Sequence, residues 1–344
     1  MKKKLLGKNP TELKEVAQSL QLPSFTGKQI ADWLYKKKVT TIEQMTNLSK
    51  TARESLAQEY EVGCDAHIDV QVSTDGTKKY LFPCHTGTCI EAVMIPDNDR
   101  TTLCVSSQAG CKMGCKFCMT GRQGFKGNLQ VAEIISQFIA VDENNSLTNA
   151  VFMGMGEPLD NLDNVLKAIE VLTADWGFAW SPKRITVSSI GVTEPLERFL
   201  NETKCHLAIS LHNPFPGERM ELMPMERAFG LDAAVTLIKQ YDFTGQRRVS
   251  FEYIMFDRLN DTKRHADGII RMLRGLECRV NLIRFHAIPD SPLAPSPMPV
   301  MESFRDRLNS SGITSTIRAS RGEDIFAACG MLAGKQADPD KDKA

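Results

Sequence analysis

No stretch of the 344-residue sequence approaches the ~18 consecutive apolar residues that a membrane helix needs. Charge imbalance is absent too. Forty-two Lys plus Arg stand against 42 Asp plus Glu, which excludes a strongly basic protein that coats nucleic acid and leaves room only for a local basic face. The opening Met1-Lys2-Lys3-Lys4-Leu5-Leu6-Gly7-Lys8 carries the positive charge of an export leader, but its apolar run stops after two leucines. A cytoplasmic protein is therefore expected. In that reducing compartment ten cysteines do not make a disulfide framework. Structural zinc is poorly served as well, because no second CxxC or HxxxH accompanies the one dense cysteine group. What is present is ordinary for a globular chain: 42% hydrophobic and 24% charged residues, enough to build a real core in one large domain plus a small one.

Residues 1–62 read as short helices. Asn9-Pro10-Thr11-Glu12 offers a cap, a proline at the first helical position and an acid in the first turn. Thr26 is expected to cap a second helix carrying Ile30, Trp33 and Leu34, and Leu48–Tyr60 a third. Its first sixty residues hold eleven Lys/Arg against six Asp/Glu, with Lys36, Lys37 and Lys38 in a row. Such a run is commonly a solvated face, and a nucleic-acid surface is the other reading of it. Residues 63–99 switch to period-two patterns (His67–Ser73, Lys78–Cys84, Cys89–Pro96) and predict a β extension.

From residue 100 to 335 strand and helix alternate. Strands are expected at Thr101–Ser107, Ala150–Met153, Arg184–Ser188, His206–Leu211, Val249–Met255 and Val280–Phe285, each followed by a helical run. A last strand near Ile313–Ile317 and a helix near Asp324–Leu332 complete the unit, and 336–344 is expected to be a disordered tail. Six βα units make either an open doubly wound sheet or part of a barrel, and both gather function at the C-terminal strand ends. The unusual residues fall there: the cysteine group, Gly154-Met155-Gly156-Glu157-Pro158, Ser188, Ser210-Leu211-His212 and His286.

Cys111, Cys115 and Cys118 form CxxxCxxC within Gly110-Cys111-Lys112-Met113-Gly114-Cys115-Lys116-Phe117-Cys118. A redox pair would need two thiols, and structural zinc four. Three closely spaced thiolates suit a [4Fe–4S] cluster with three irons held by protein and one left open. This motif, with an aromatic residue just before its last cysteine, resembles the signature of radical S-adenosylmethionine enzymes. The resemblance implies a partial (β/α)6 barrel and a cofactor chelated to the open iron. Gly156, Glu157, Ser188, Ser210, Leu211, His212 and His286 match the family's cofactor contacts.

A narrower resemblance rests on Thr101–Cys111 and on Gly322-Glu323-Asp324-Ile325-Phe326-Ala327-Ala328-Cys329-Gly330. It is to the radical methyltransferases that methylate C2 of an adenine in 23S ribosomal RNA and tRNA, and it runs from about residue 10 to 335. That carbon lies between two ring nitrogens and is electron-poor, so it cannot attack an electrophilic methyl. The family's implied answer is covalent. Cys329 takes a methyl from one S-adenosylmethionine. A radical made from a second abstracts hydrogen from that methyl, and the methylene radical adds to the base. Glu91, thirteen residues before Cys104, matches the proposed proton acceptor, and burial among apolar neighbours would raise its pKa toward a useful value. Cys104 then releases the product by forming a Cys104–Cys329 disulfide.

Two S-adenosylmethionine molecules per turnover, a flavodoxin- or ferredoxin-type electron donor and a monomeric enzyme are implied. Phosphates are expected on the basic first sixty residues and on Lys112, Lys116, Arg122 and Lys126. Two positions depart from the family: His286 stands where many relatives place a cofactor-contacting Asn, and Met331 where Gln is common. Two rival readings remain, the same mechanism at adenine C8 and a non-catalytic iron–sulfur or zinc RNA-binding protein.

Overall fold

The computed structural model describes residues 2–243 and 247–334; the expected tail at 336–344 lies outside the described residues. Helix α1 (Pro10–Ser19) begins with a reciprocal cap in which Asn9 and Glu12 accept each other's backbone N–H, which satisfies two otherwise orphaned donors. Helix α2 spans Thr26–Ala31 and runs on through a wide turn at Asp32–Lys36. Thr26 is thus the first helical residue and not the cap. Phe25 occupies the cap position in helical conformation, with no side-chain bond. Helix α3 (Lys50–Glu59) is capped by Ser49. The three helices share one continuous core with the remainder of the chain. Tyr35 packs edge-on to Trp176 at 5.3 Å, and Glu12 pairs with Lys167.

Ten strands form one sheet: β1 (Asp69–Val72), β2 (Lys78–Pro83), β3 (Cys89–Asp97), β4 (Arg100–Cys104), β5 (Asn149–Phe152), β6 (Ile185–Ser189), β7 (His206–Ser210), β8 (Val249–Met255), β9 (Arg279–Arg284) and β10 (Thr314–Ile317). Their spatial order is their chain order. β1 to β4 are antiparallel neighbours and β4 to β10 run parallel. That order decides between the two architectures. A doubly wound sheet reverses direction so that helices cover both faces, whereas right-handed crossovers taken in one direction put every helix on the same face. The parallel strands therefore curl into a partial barrel. Outside lie α4 (Val131–Ile139), α5 (Leu162–Thr173), α6 (Thr193–Glu202), α7 (Leu231–Ile238), α8 (Lys263–Leu273) and α9 (Met298–Ser310).

Alternation along the strands sets the two faces. Ile185 and Val187 of β6, or Leu207 and Ile209 of β7, are buried, while Thr186, Ser188, His206 and Ser210 line the lumen. The expected helix at Asp324–Leu332 is absent. Residues 318–334 instead form an irregular strap, because Phe326 takes φ 53°, Gly322 φ 61° and Gly330 φ 84°, values no right-handed helix allows. Tertiary anchors impose that path. Beyond β10 the strap meets His286, whose two ring nitrogens contact Ser320 Oγ (3.0 Å) and Glu323 Oε1 (3.1 Å). It then reaches the β1–β2 hairpin, where the Gly322 N–H donates to Asp75 (2.9 Å) and Asp324 accepts from Ser73 Oγ (2.6 Å) and the Thr74 N–H (3.0 Å). So the strap links the far edge of the barrel to the β extension.

Candidate functional site

A cavity of about 150 Å³ lies at the C-terminal ends of the parallel strands. Cys111, Cys115, Cys118, Gly156, Glu157, Ser188, Ser210, His212 and Cys329 all line it. The cysteine loop follows β4 and is closed at its base by a short pairing of Gln108–Ala109 with Gly127–Asn128. Gly110 is required there: it takes φ 72°, and a Cβ would sit 1.9 Å from the Gly124 carbonyl oxygen. Backbone bonds fix the loop from outside, with the Lys116 N–H on Leu222 O (3.0 Å) and the Met119 N–H on Gly330 O (2.7 Å). Burial pushes the Cys111 thiol up to about 12 and the Cys115 thiol well above its ordinary value. Neutral thiols are thus the resting form unless a metal displaces the protons.

All three thiols line this one cavity. A multi-iron cluster, in which each thiolate bonds a different iron, is the group that such a donor set fits.

Glu157 follows β5. Gly156 lets the chain approach Gln108 closely, since φ is 101° and a Cβ would lie 2.5 Å from the Gln108 Cβ. The carboxylate of Glu157 accepts the N–H groups of Leu159 (3.1 Å) and Ile190 (3.0 Å). Burial nevertheless raises its pKa to about 7 against those bonds. A cation brought into the cavity would hold it ionised.

His212 is buried behind Phe117, ring centroids 4.9 Å apart. Its Nδ1 accepts the Ile254 N–H (3.0 Å), so the ring proton sits on Nε2. Burial first, and Arg219 second, lower its pKa to about 3. A linkage prediction follows. The unfolded chain takes up this proton near 6.5 and the folded chain not until about 3. The unfolded state therefore binds more protons within that window. Stability from this site is complete above 6.5 and is lost as pH falls, by up to roughly 1.4 kcal/mol per pH unit. Denaturant unfolding at pH 7, 6 and 5 should show a slope that a His212→Gln variant flattens.

Cys329 hangs on the strap. It is exposed and lines the cavity, and burial of its thiol raises its pKa, with Arg318 opposing. Cys104 is buried at the end of β4. Burial and the neighbouring Cys329 push it up to about 12, with Arg318 again among the lowering influences.

Four expected site residues stand outside the lining: Cys104, Glu91, Leu211 and His286. Glu91 faces inward, but not among purely apolar groups. Its carboxylate pairs with Lys79 (3.3 Å) and accepts the Ala333 N–H (2.7 Å), which ties β3 to the strap. Glu91 shares a sheet face with Val93, whose cross-strand partner is Cys104. Leu211 is fully buried and contributes its backbone carbonyl to Arg219. His286 holds the strap.

Two important residues were not anticipated. Arg318 lies between Glu252 (3.4 Å) and the two thiols. Arg219, 1% exposed, donates to the carbonyls of Leu211 (2.9 Å), Ser210 (2.6 Å) and Ile190 (3.1 Å) and pairs with Glu226. Only its proximity to Ser210–His212 in sequence could have drawn notice.

Comparison with known proteins places this geometry. Residues 3–62 match the model for the ribosomal RNA large subunit methyltransferase N-terminal domain, and residues 105–267 that of the radical SAM superfamily. The chain is 58% identical over 338 residues to the probable dual-specificity RNA methyltransferase RlmN of Bacteroides fragilis, covering 98% of each chain. It is 40% identical to the dual-specificity RNA methyltransferase RlmN of Syntrophus aciditrophicus, covering 94% of each. A crystal structure of a radical SAM methyltransferase from Sphaerobacter thermophilus superposes with a TM-score of 0.92 at 35% identity, over 97% of this chain and all of the other. An iron–sulfur cluster and S-adenosylmethionine are the cofactors that superfamily implies. The chain belongs to the RlmN family of dual-specificity RNA methyltransferases within the radical SAM superfamily.

Proposed function

We propose that this protein methylates C2 of an adenine in 23S ribosomal RNA and in tRNA, through a methyl carried on Cys329. The observation carrying this reading is that Cys329 shares one cavity with the three-cysteine loop while Cys104 lies beside it. Spectator cysteines have no reason to gather at that place. The dual-specificity names of the relatives support two RNA substrates.

Cys111, Cys115 and Cys118 would hold one [4Fe–4S] cluster. Glu157, Ser188, Ser210 and His212 would bind S-adenosylmethionine at its open corner, two molecules being used per turnover. When bound, these groups supply a methyl and a 5′-deoxyadenosyl radical. The chain's own residues do the rest. Cys329 accepts the methyl as a thioether and carries the carbon to the base. Glu91 takes the C2 proton, and Lys79 then loses its ion-pair partner to protonation. Cys104 attacks the Cys329 sulfur and frees the product, leaving a disulfide. Leu211 and His286 act by position, the first through its backbone beside Ser210 and the second by anchoring the strap. Gly156 supplies the close turn that aims Glu157.

Residues 1–62 serve as the RNA-binding accessory domain, 63–99 as the extension that holds the strap, and 100–335 as the barrel. The enzyme works as a cytoplasmic monomer with a flavodoxin- or ferredoxin-type electron donor. Among the described residues no helix is long and apolar enough to cross a membrane.

The test is anaerobic reconstitution with iron and sulfide, incubation with unmodified RNA, and location of the new methyl by mass spectrometry. A brown protein and 2-methyladenine are expected. Methyl at C8 or on a ribose hydroxyl overturns the C2 assignment, and a cluster that never cleaves S-adenosylmethionine overturns the enzyme.

A further inference from the structure

At the opposite end of the barrel, where the strands begin, lies a second cavity of about 550 Å³. Its rim carries Arg100 at the start of β4, Lys183 and Arg184 just before β6, and Arg248 just before β8. All four are exposed. Among the described residues none of them enters an ion pair, although Arg321 at the same cavity pairs with Asp97 and Arg318 with Glu252. Like charges crowded on one rim repel and cost stability, so an unpartnered set around a concavity calls for an anion. A solvated charged face would mix signs or disperse them.

The path inward is also polar. Thr102, Thr186 and His206 line this cavity, and Arg318 alone is common to its lining and that of the cysteine chamber. Strands of four or five residues at about 3.3 Å each separate the two ends by roughly 13–17 Å. His206 accepts the Arg248 N–H on Nδ1 (3.0 Å). Burial, together with the cations around it, holds its pKa below the ordinary value, as a field of uncompensated positive charge requires.

We propose that this mouth is where RNA enters: Arg100, Lys183, Arg184 and Arg248 hold phosphates beside the target nucleotide, and its base is drawn out of the stack past Arg318 toward Cys329. The inference rests on the RNA methyltransferase reading and moves the main phosphate contacts away from the basic first sixty residues. RNA fits better than an acidic protein because the cations surround an opening that leads to a thiol, and do not lie on a flat surface. A base must leave its stack to reach such a chamber.

The test is fluorescence anisotropy of the reconstituted full chain with an unmodified RNA hairpin bearing an unpaired adenine, titrated from low to high potassium chloride. In the combined Arg100→Gln, Lys183→Gln, Arg184→Gln, Arg248→Gln variant, affinity should fall about tenfold or more. The slope of log affinity against log salt should flatten by about 3, four single-strand contacts being worth roughly 0.7 each. Iron content and thermal midpoint, matched to the wild type, exclude misfolding. A Lys36→Gln, Lys37→Gln protein should lose less of the slope than the rim variant. If the rim variant binds RNA with undiminished slope while wild type still methylates it, this inference alone is overturned. The same holds if the rim variant binds RNA normally but is reduced more slowly by an acidic one-electron donor protein. If wild type neither binds nor methylates RNA, the underlying reading falls with it.

Discussion

A Cys329→Ala protein is expected to keep its iron and to bind RNA, yet to place no methyl on any adenine. The strap that carries Cys329 is held by backbone and by residues other than the thiol: Gly322 on Asp75, Asp324 on Ser73 and Thr74, Gly330 on Met119, Leu332 on Thr120 and Ala333 on Glu91. Alanine therefore removes the proposed methyl acceptor without releasing the chain segment. Cys104 cannot stand in, because it is fixed on a strand and buried. A Cys104→Ala protein should behave differently. It still has its methyl carrier and still forms the carbon bridge to RNA, but lacks the nucleophile that breaks it. A protein–RNA species surviving a denaturing gel should accumulate, with at most one equivalent of label per chain. Methyl-labelled cofactor, counted separately on protein and RNA, checks both results. Turnover of Cys329→Ala within tenfold of wild type would sink the covalent route.

Local signals carried much of this into the sequence. CxxxCxxC is a spacing, and the period-two runs from His67 to Ile317 locate strands because lumen and helix-facing sides differ in polarity. Chain order could not separate an open sheet from a barrel; only the pairing of each parallel strand with its successor does so. The strap defeated pattern reading. Asp324–Leu332 carries helix-compatible residues, but its conformation is set by Ser73, Thr74 and Asp75, some 250 positions away in sequence. His286 shows the same limit, since its partners Ser320 and Glu323 lie beyond two further elements. Glu91 could be read as inward-facing or not, but its Lys79 partner depends on the β2–β3 register.

Arg219→Met should be the most destabilising single change near the site that touches no cofactor-lining side chain. Its guanidinium is the partner of Glu226, a carboxylate only 6% exposed. Removing one member of a buried pair strands the other, at a cost of about 3–5 kcal/mol. Three carbonyl acceptors are orphaned as well, those of Ile190, Ser210 and Leu211, and buried acceptors without donors add to the loss. An Arg219→Met, Glu226→Leu double variant separates the two contributions. It removes the stranded carboxylate and should recover part of the stability lost in the single variant, measured by urea denaturation. Recovery stays incomplete because the carbonyls remain unpaired and Leu231 loses the acceptor of its N–H. S-adenosylmethionine binding should not recover at all. Beyond the ladder that pairs β6 with β7, this guanidinium bridges the carbonyls of Ile190, Ser210 and Leu211, and Ser210 and the next residue along, His212, line the cavity. A double variant that is fully stable and binds S-adenosylmethionine as wild type would show that Arg219 merely fills space.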